Sequence, residues 1–497
     1  MLKKSSKWEF LGLLTFLICL TLLFTNGFSE RIFAQDTGTD VYQDITPIGD
    51  VLSEIMKSYY KEPDVNEVVE GALKGMMNSL DRNSSYISPD LFEELTEETQ
   101  GEFDGIGVHI TLDDNDNLTV LQPVADAPAA EAGIMTGDFI TAIDGVPTKG
   151  MSILDAAKRI KGPRNTIVHL SIYREGKNGE DGQKLEFDVK RGKIPLESIR
   201  EARVLDGGIG YIRISDFKKN TAREIKKEMA RLADEGMKSL VLDLRWNPGG
   251  LLTASQDVSE LFLPRGNLVT YTKGRETGDA TDNLRLETRR TPVLPLDFPM
   301  VLIVNGSTAS SSEIVTGALQ YYKRAIVIGE QTYGKGSVQT IIQLAQPKGS
   351  ALRLTTALYY TPAGVTIHNM GIRPDIEVAM DEKDSVALFM QMYRSYAEGP
   401  DMRDHQDHGS ITGDEVTEET VEDIQLAKAV EILQEEGSFQ SLVDKYHKDT
   451  RITQVAAPEN GGPPRRDIEA DIPYDDGGNG EDEPSTPESE MGPELTE

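Results

Sequence analysis

Cysteine is nearly absent from this 497-residue chain: the one present, Cys19, sits inside an apolar run near the start. Without a second thiol there is no disulfide, and no thiolate metal site forms in the rest of the chain. Histidine is scarce as well. The six present show neither HExxH nor HxH spacing, which argues against a zinc enzyme. Basic charge is in deficit: the formal net charge is −32, the wrong sign for gripping a phosphate backbone. Twelve acidic and no basic residues lie between Asp467 and Glu497, so the first 466 residues carry −20.

Long hydrophobic runs are also missing, except from Phe10 to Phe24, which follows Lys3, Lys4 and Lys7. That pattern predicts a signal peptide over residues 1–34, with Ile32-Phe33-Ala34 suited to a signal peptidase. A retained membrane anchor is the competing reading, although the run is short for a comfortable span. Either way the chain is expected to be exported, to a periplasm or cell envelope. Two common catalytic turns are absent too. Ser310 lies in T-A-S-S-S, not G-x-S-x-G. Gly329–Lys335 fits the first seven positions of a phosphate-binding loop, but Gly336 stands where Ser or Thr would hold magnesium. The following Val338–Leu344 reads as a strand instead of the helix such a loop needs.

What is present is concentrated between Val301 and Gln339. An apolar run, Val301–Val304, breaks at Asn305-Gly306 into a serine-rich turn, and helical spacing begins after it with Ile314, Ala318 and Leu319. A strand thus delivers serines to a helix N-terminus, where free backbone N–H groups and the positive dipole end await an anion. A second apolar run, Ala325–Gly329, leads to Glu330–Gln339 with Lys335 between two glycines. These are the ingredients of Ser-Lys nucleophilic catalysis: a hydroxyl, oxyanion donors, and an amine that serves as base when burial holds it neutral. Taken alone they equally describe a capped helix and a solvated loop tip. Ser310, Ser311 and Ser312 stand together at the same helix start.

The pair T-A-S310-S-S-E-I and Y-G-K335-G-S-V-Q339 resembles the signature of the carboxy-terminal processing (tail-specific) proteases. The resemblance implies that Ser310 is the nucleophile, Lys335 the general base and Gln339 the residue that orients the lysine. Arg245–Gly250 (R-W-N-P-G-G) is similar to the family turn beside the nucleophile. By that likeness Gly249 or Gly250 supplies one oxyanion N–H and Ser311 the other. The stretch Ala351–Val378 departs from the family text in having Ala363 and Val365 for a serine and an arginine. Leu80-Asp81-Arg82-Asn83-Ser84 departs from its L-D-P-H-S turn at two positions.

The remaining segments supply the organisation. Ile48, Leu52, Ile55 and Tyr59, then Val65, Val68, Val69, Leu73 and Met76, predict an N-terminal helical arm over residues 35–101. Its two open readings are a surface hairpin and a dimerisation arm. Residues 102–192 resemble a PDZ domain. Gly105-Ile106-Gly107-Val108 would hold a peptide's terminal carboxylate, and Ile153–Ile160 would line the groove. Alternating strands and helices follow over residues 193–381, with a capping box at Thr221–Glu224 and Ile225, Met229 and Leu232 facing inward. A C-terminal helical segment (382–450) shows two apolar registers: Val421, Ile424, Ala427 and Leu426, Val430, Leu433. The tail, 451–497, is rich in Pro, Gly, Ser and acids and is expected to be disordered.

The fold class expected is therefore mixed α/β: an α/β serine-protease core with an inserted PDZ domain and helical segments at both ends. The expected function is endoproteolysis near protein C-termini without metal or cofactor, the PDZ domain binding substrate and gating the site. Protein or peptide C-termini are the expected partners, with an activating or adaptor protein and a homodimer through the helical segments; no nucleic acid is expected. A PDZ scaffold with an idle protease domain is the rival.

Overall fold

The computed structural model describes residues 41–113, 115–176, 181–275, 284–397, 421–435 and 437–447. The expected signal segment (1–34) and acidic tail (451–497) lie outside the described residues. Among those described, no helix is long and apolar enough to cross a membrane.

The core is a six-stranded sheet ordered Ile199–Leu205, Ile209–Ile214, Ser239–Asp243, Met300–Val304, Ile326–Gly329 and Ile376–Glu377. The first pair is antiparallel and every later pair parallel. Parallel strands joined by helices are covered on both faces, so their sequences run apolar without polar alternation. Met300–Val304 and Ile209–Ile214 are buried throughout for this reason. Leu240, Leu242, Leu302 and Val304 face one side, where Ile225, Leu232, Ile314 and Ala318 of two helices meet them. Val241, Val301, Ile303 and Ile328 face the other, covered by Ala429, Ile432, Phe439 and Leu442. Each such side chain contributes about 1.5–3 kcal/mol by leaving water.

The C-terminal helix Ile424–Gln434 therefore packs on the sheet, through Gln425, Ala429 and Ile432. Neither apolar register read from the sequence is the buried one. Leu426, Val430 and Leu433 flank it, and Ile424 faces solvent. The expected capping box at Thr221 also gives way. Asn220 is the N-cap, and Thr221 Oγ1 instead accepts from the Lys218 N–H at 2.8 Å. Glu224 accepts from the Ser198 N–H at 2.8 Å. Ile225, Met229 and Leu232 face inward as expected.

A second sheet carries Ser85–Ile87, Ala351–Tyr360, Leu268–Gly274 and Arg285–Glu287, with Ser337–Gln343 also paired to Ala351–Tyr360. The N-terminal arm is thus not purely helical: its strand Ser85–Ile87 joins this sheet between the helices Val65–Asn78 and Pro89–Gln100. The predicted apolar stripe of the arm is left open, with Ile48 44% and Tyr59 56% exposed. A third sheet, Val108–Leu112, Leu118–Pro123, Phe139–Ile143, Ile167–Arg174 and Gln183–Lys190, encloses its own core of Val120, Ile140, Val168 and Leu170. It is entered and left through two paired strands, Glu102–Gly105 and Gly192–Pro195.

One buried ion cluster ties the C-terminal helix to the core. Arg245 and Asp243 side chains are fully buried, 2.6 Å apart, and Arg245 also meets Asp423, the N-cap of Ile424–Gln434, at 2.7 Å. Burial pushes the Asp243 carboxyl up, and the Arg245 guanidinium, with the Arg245 N–H and the Tyr211 hydroxyl, more than reverses it, leaving a net depression. A depressed carboxyl contributes stability above its unfolded range and loses it as pH falls through the folded value. Asp243→Asn strands a buried guanidinium on one side, which costs about 3–5 kcal/mol. A lower urea midpoint near neutral pH, with the gap to wild type closing in acid, is the expected result.

Candidate active site

Three loops leave the carboxyl ends of three neighbouring parallel strands. The turn Leu244–Gly250 follows Ser239–Asp243, the serine turn follows Met300–Val304, and the lysine loop follows Ile326–Gly329. Open parallel sheets present their sites at this edge, because each strand end aims its loop to the same side.

The serine turn separates three hydroxyls that the sequence leaves equivalent. Ser311 Oγ donates to the Gly250 and Leu251 carbonyls (3.0 and 3.1 Å), and Ser312 Oγ donates to the Asn247 carbonyl at 3.1 Å; both residues are buried. Ser310 alone is half-buried, at the helix N-cap, with φ 56° and ψ −117°. A non-glycine residue held there carries strain of about 1–3 kcal/mol, and such strain clusters at working sites. The buried phenol of Tyr359 donates to the Lys335 carbonyl and lies within hydrogen-bond reach of Ser310.

Glu313, fully buried one turn into the helix, joins the two halves of the site. Its Oε2 accepts the Ser310 N–H at 2.8 Å and the Lys335 N–H at 2.9 Å. Its Oε1 accepts from Thr332 Oγ1 at 2.5 Å and the Gly334 N–H at 2.7 Å. Burial raises the Glu313 carboxyl above its ordinary range, and these four donors offset only part of that. Four donors and no acceptor suit an ionised carboxylate. The Lys335 backbone is held against the serine turn by this carboxylate, so the loop is no solvated tip. Its neighbours are glycine for a steric reason. A Cβ on Gly334 (φ 90°) would come within 2.9 Å of the Met370 N, and one on Gly336 within 2.5 Å of the His368 N. Lys335 itself is half-buried and makes no ion pair among the described residues. Burial lowers its pKa, the Arg353 charge lowers it further, and Glu313 acts the other way.

The Arg245–Gly250 turn packs on the serine. A Cβ on Gly249 (φ 100°) would fall 2.7 Å from Ser310 Cβ and 2.8 Å from the Ser311 N. The Gly249 N–H is already used, donating to Asn247 Oδ1 at 2.9 Å. Between the two glycines the sequence leaves open, Gly250 is therefore the one whose N–H has no acceptor among the described residues; the same holds for Ser311. Gln339 lies on Ser337–Gln343, its Nε2 donating to Ser337 Oγ at 3.0 Å and Thr355 Oγ1 at 3.2 Å.

The expected peptide loop lies apart from these residues, in the third sheet. Ile106 is buried and its carbonyl accepts the Ala129 N–H at 2.8 Å; Gly107 has φ 74° and its carbonyl accepts the Val124 N–H at 3.0 Å. Gly105 pairs with Gly192, and Val108 begins an edge strand beside the helix Ile153–Ile160. An edge strand facing a helix is the geometry to which a peptide adds as a further strand.

Sequence reading missed Glu313, Thr332 and Tyr359. Glu313 had a signal: S310-x-x-E313 has the spacing by which a helix's third residue reaches back to its cap. Thr332 and Tyr359 enter from other strands and have no local pattern.

The model of peptidase family S41 matches residues 208–378, and a PDZ domain model matches 119–174. The chain is 36% identical over 406 residues to the carboxy-terminal-processing protease of Bartonella bacilliformis, covering 80% of this chain and 90% of that one. It is 31% identical over 386 residues to carboxy-terminal processing protease CtpA of Bacillus subtilis, covering 77% of this chain and 79% of the relative. A solved photosystem II D1 C-terminal processing protease aligns at 28% identity and a TM-score of 0.37, covering 66% of this chain and 86% of that one. The chain belongs to peptidase family S41, the carboxy-terminal processing serine proteases, and carries a PDZ domain.

Proposed function

We propose that this protease works by a Ser310–Lys335 mechanism, with Gln339 orienting the amine, and cleaves proteins near their C-termini. The observation that carries the reading is the shared oxygen of Glu313, which receives the Ser310 and Lys335 backbone N–H groups together. It fixes a half-buried, strained serine beside a loop whose lysine has its charged form disfavoured.

The neutral amine of Lys335 takes the Ser310 proton as Oγ bonds to the scissile carbonyl carbon. The oxyanion that forms is met by the N–H groups of Gly250 and Ser311. Collapse breaks the C–N bond, the lysine ammonium returns its proton to the leaving amine, and water then hydrolyses the acyl-enzyme by the same base. Before reaction Tyr359 holds the Lys335 carbonyl and gives the serine hydroxyl a partner.

The free edge at Val108–Leu112 supports capture of an extended or C-terminal segment by the PDZ domain, with Gly105–Val108 at its carboxylate. Substrate occupancy then shifts a closed-to-open balance, so that the domain gates cleavage. The open apolar stripe of the arm supports pairing with a second copy, and an adaptor that delivers substrate is compatible with the same surface. The basic, then apolar, N-terminus supports export to a periplasm or cell envelope.

The full chain should cleave an unfolded, cysteine-free protein in the presence of chelator, and Ser310→Ala and Lys335→Ala should each abolish cleavage. Survival of activity in Ser310→Ala would sink the assignment of the nucleophile. A wild type idle even with a delivered substrate would favour the scaffold reading.

Activity should rise with pH along a limb centred below the ordinary lysine range, since burial and Arg353 both disfavour the ammonium. Removing a positive neighbour makes protonation easier. Arg353→Met should therefore move that limb to higher pH, read from kcat/KM profiles; an unmoved limb would show that Arg353 does not tune the base.

A further inference from the structure

Gln339 is anchored from outside the protease core proper, by a turn that precedes the PDZ domain in the chain. The residues involved are Asp81, Ser84 and Thr355. Gln339 and Thr355 are paired across two antiparallel strands, so their side chains stand on one face. Ser85–Ile87 pairs with the far side of the Thr355 strand and brings the preceding turn against it. Within that turn Asp81 Oδ1 accepts the Asn83 and Ser84 N–H groups (2.7 and 2.8 Å), and Asp81 Oδ2 accepts from Ser84 Oγ at 3.0 Å. The Thr355 N–H donates to Ser84 Oγ at 3.1 Å, and the Thr355 hydroxyl also reaches the Asp81 carboxylate.

Ser84 Oγ also lies 3.4 Å from Thr355 Oγ1, but the Asp81 carboxylate, at 3.0 Å and charged, is its nearer and stronger acceptor. An ionised carboxylate accepts and never donates. The Ser84 and Thr355 protons therefore both point at Asp81, and Thr355 Oγ1 presents only lone pairs to Gln339. Gln339 must turn its NH2 toward Thr355 and Ser337, where it lies at 3.2 and 3.0 Å. Its carbonyl oxygen is left facing the opposite way, free to accept from an amine. A glutamine that orients a lysine needs that orientation, since an amide flipped by half a turn would present donors to a donor.

We propose that Asp81, through Ser84 and Thr355, is a positioning residue for the protease reaction: it sets the direction of the hydrogen bonds that aim the Gln339 carbonyl at Lys335. The proposal rests on the Ser310–Lys335–Gln339 reading above. Asp81 touches neither substrate nor the reacting atoms. In Asp81→Asn the amide donates to Thr355, the Thr355 proton turns to Gln339, and the glutamine flips.

The test is a kinetic cycle on the full chain with a peptide substrate, with thermal unfolding measured alongside. Gln339→Ala should lower kcat with KM little changed. Thr355→Val, equal in shape but without the hydroxyl, should lower kcat roughly tenfold. Thr355→Ser should restore it, and Asp81→Asn should behave as Thr355→Val does. Thr355→Val placed on Gln339→Ala should add nothing, because both act through one amide. Full kcat in Gln339→Ala would overturn the role of the glutamine, and the relay with it. A damaged Gln339→Ala beside an unimpaired Thr355→Val and Asp81→Asn would overturn the relay alone. A Thr355→Val loss of equal size in both backgrounds, or no rescue by serine, would make Thr355 merely structural and overturn it too.

Discussion

The Glu313 carboxylate is the interaction on which the site depends. Burying a charge in a helix is costly unless hydrogen bonds replace the lost water, and here four donors do so. Those donors come from two segments of chain, the serine turn and the loop Thr332–Lys335, so satisfying the charge fixes the segments relative to each other. The constraint is mutual. Removing any donor leaves the carboxylate underpaired, and removing the carboxylate leaves backbone N–H groups without acceptors. The glycines at 334 and 336 follow from it, because the loop can reach the carboxylate only by lying on the backbone of residues 368–371. The depressed pKa of Lys335 follows as well: a loop drawn inward takes its lysine partly out of water, although Glu313's own charge offsets some of that effect.

The strain at Ser310 belongs to the same frame. A positive φ at serine persists only where the surroundings over-determine it. The flanking residues do so: the Ala309 N–H donates to the Asn247 carbonyl at 2.9 Å, the Ser312 N–H to the Ala309 carbonyl at 3.1 Å, and Glu313 holds Ser310 itself. Asn247 lies in the turn that also carries Gly249 and Gly250, and its side chain takes up the Gly249 N–H. That one bond leaves Gly250 as the turn glycine whose N–H has no acceptor among the described residues. Behind it the Asp243–Arg245–Asp423 cluster fixes the turn to the C-terminal helix, so the catalytic edge is braced from the distal side of the sheet.

Fold class and family were legible because each rests on local text. The strands Met300–Val304 and Ile326–Gly329 are apolar throughout, and the serine and lysine turns follow them directly. What was not legible is whatever depends on contacts between segments distant in sequence. Nothing in Ser310-Ser311-Ser312 tells which hydroxyl is spent on carbonyls of a turn about sixty residues earlier. Tyr359 reads as one more apolar residue of a strand, and only pairing places its phenol at Lys335. The C-terminal helix was legible in part: Leu426, Val430 and Leu433 pack against the core, but the most deeply buried line is Gln425, Ala429 and Ile432, Gln425 being held there by Arg245 and the Val378 carbonyl. Thr221 misled, since its hydroxyl serves the Lys218 N–H and not its own helix.

The arm has a consequence for what counts as the protease. Ser85–Ile87 is a strand of the sheet that holds Gln339 and Thr355, yet it lies before the PDZ domain in the chain, and the remainder of that sheet lies after it. The PDZ fold is thus inserted within the catalytic unit, and hangs on the two strands Glu102–Gly105 and Gly192–Pro195. A module joined by a paired stalk can transmit a twist or a tilt to both flanking segments at once. One of them, through the helix Pro89–Gln100, runs directly to Ser84 and Asp81; the other, through Ile199–Leu205, enters the core sheet. Events at the edge strand Val108–Leu112 consequently have a short covalent path to the turn that carries Asp81 and Ser84. The far longer path through the packed core to Ser310 crosses elements with fully buried, close-packed side chains, which are the least able to move.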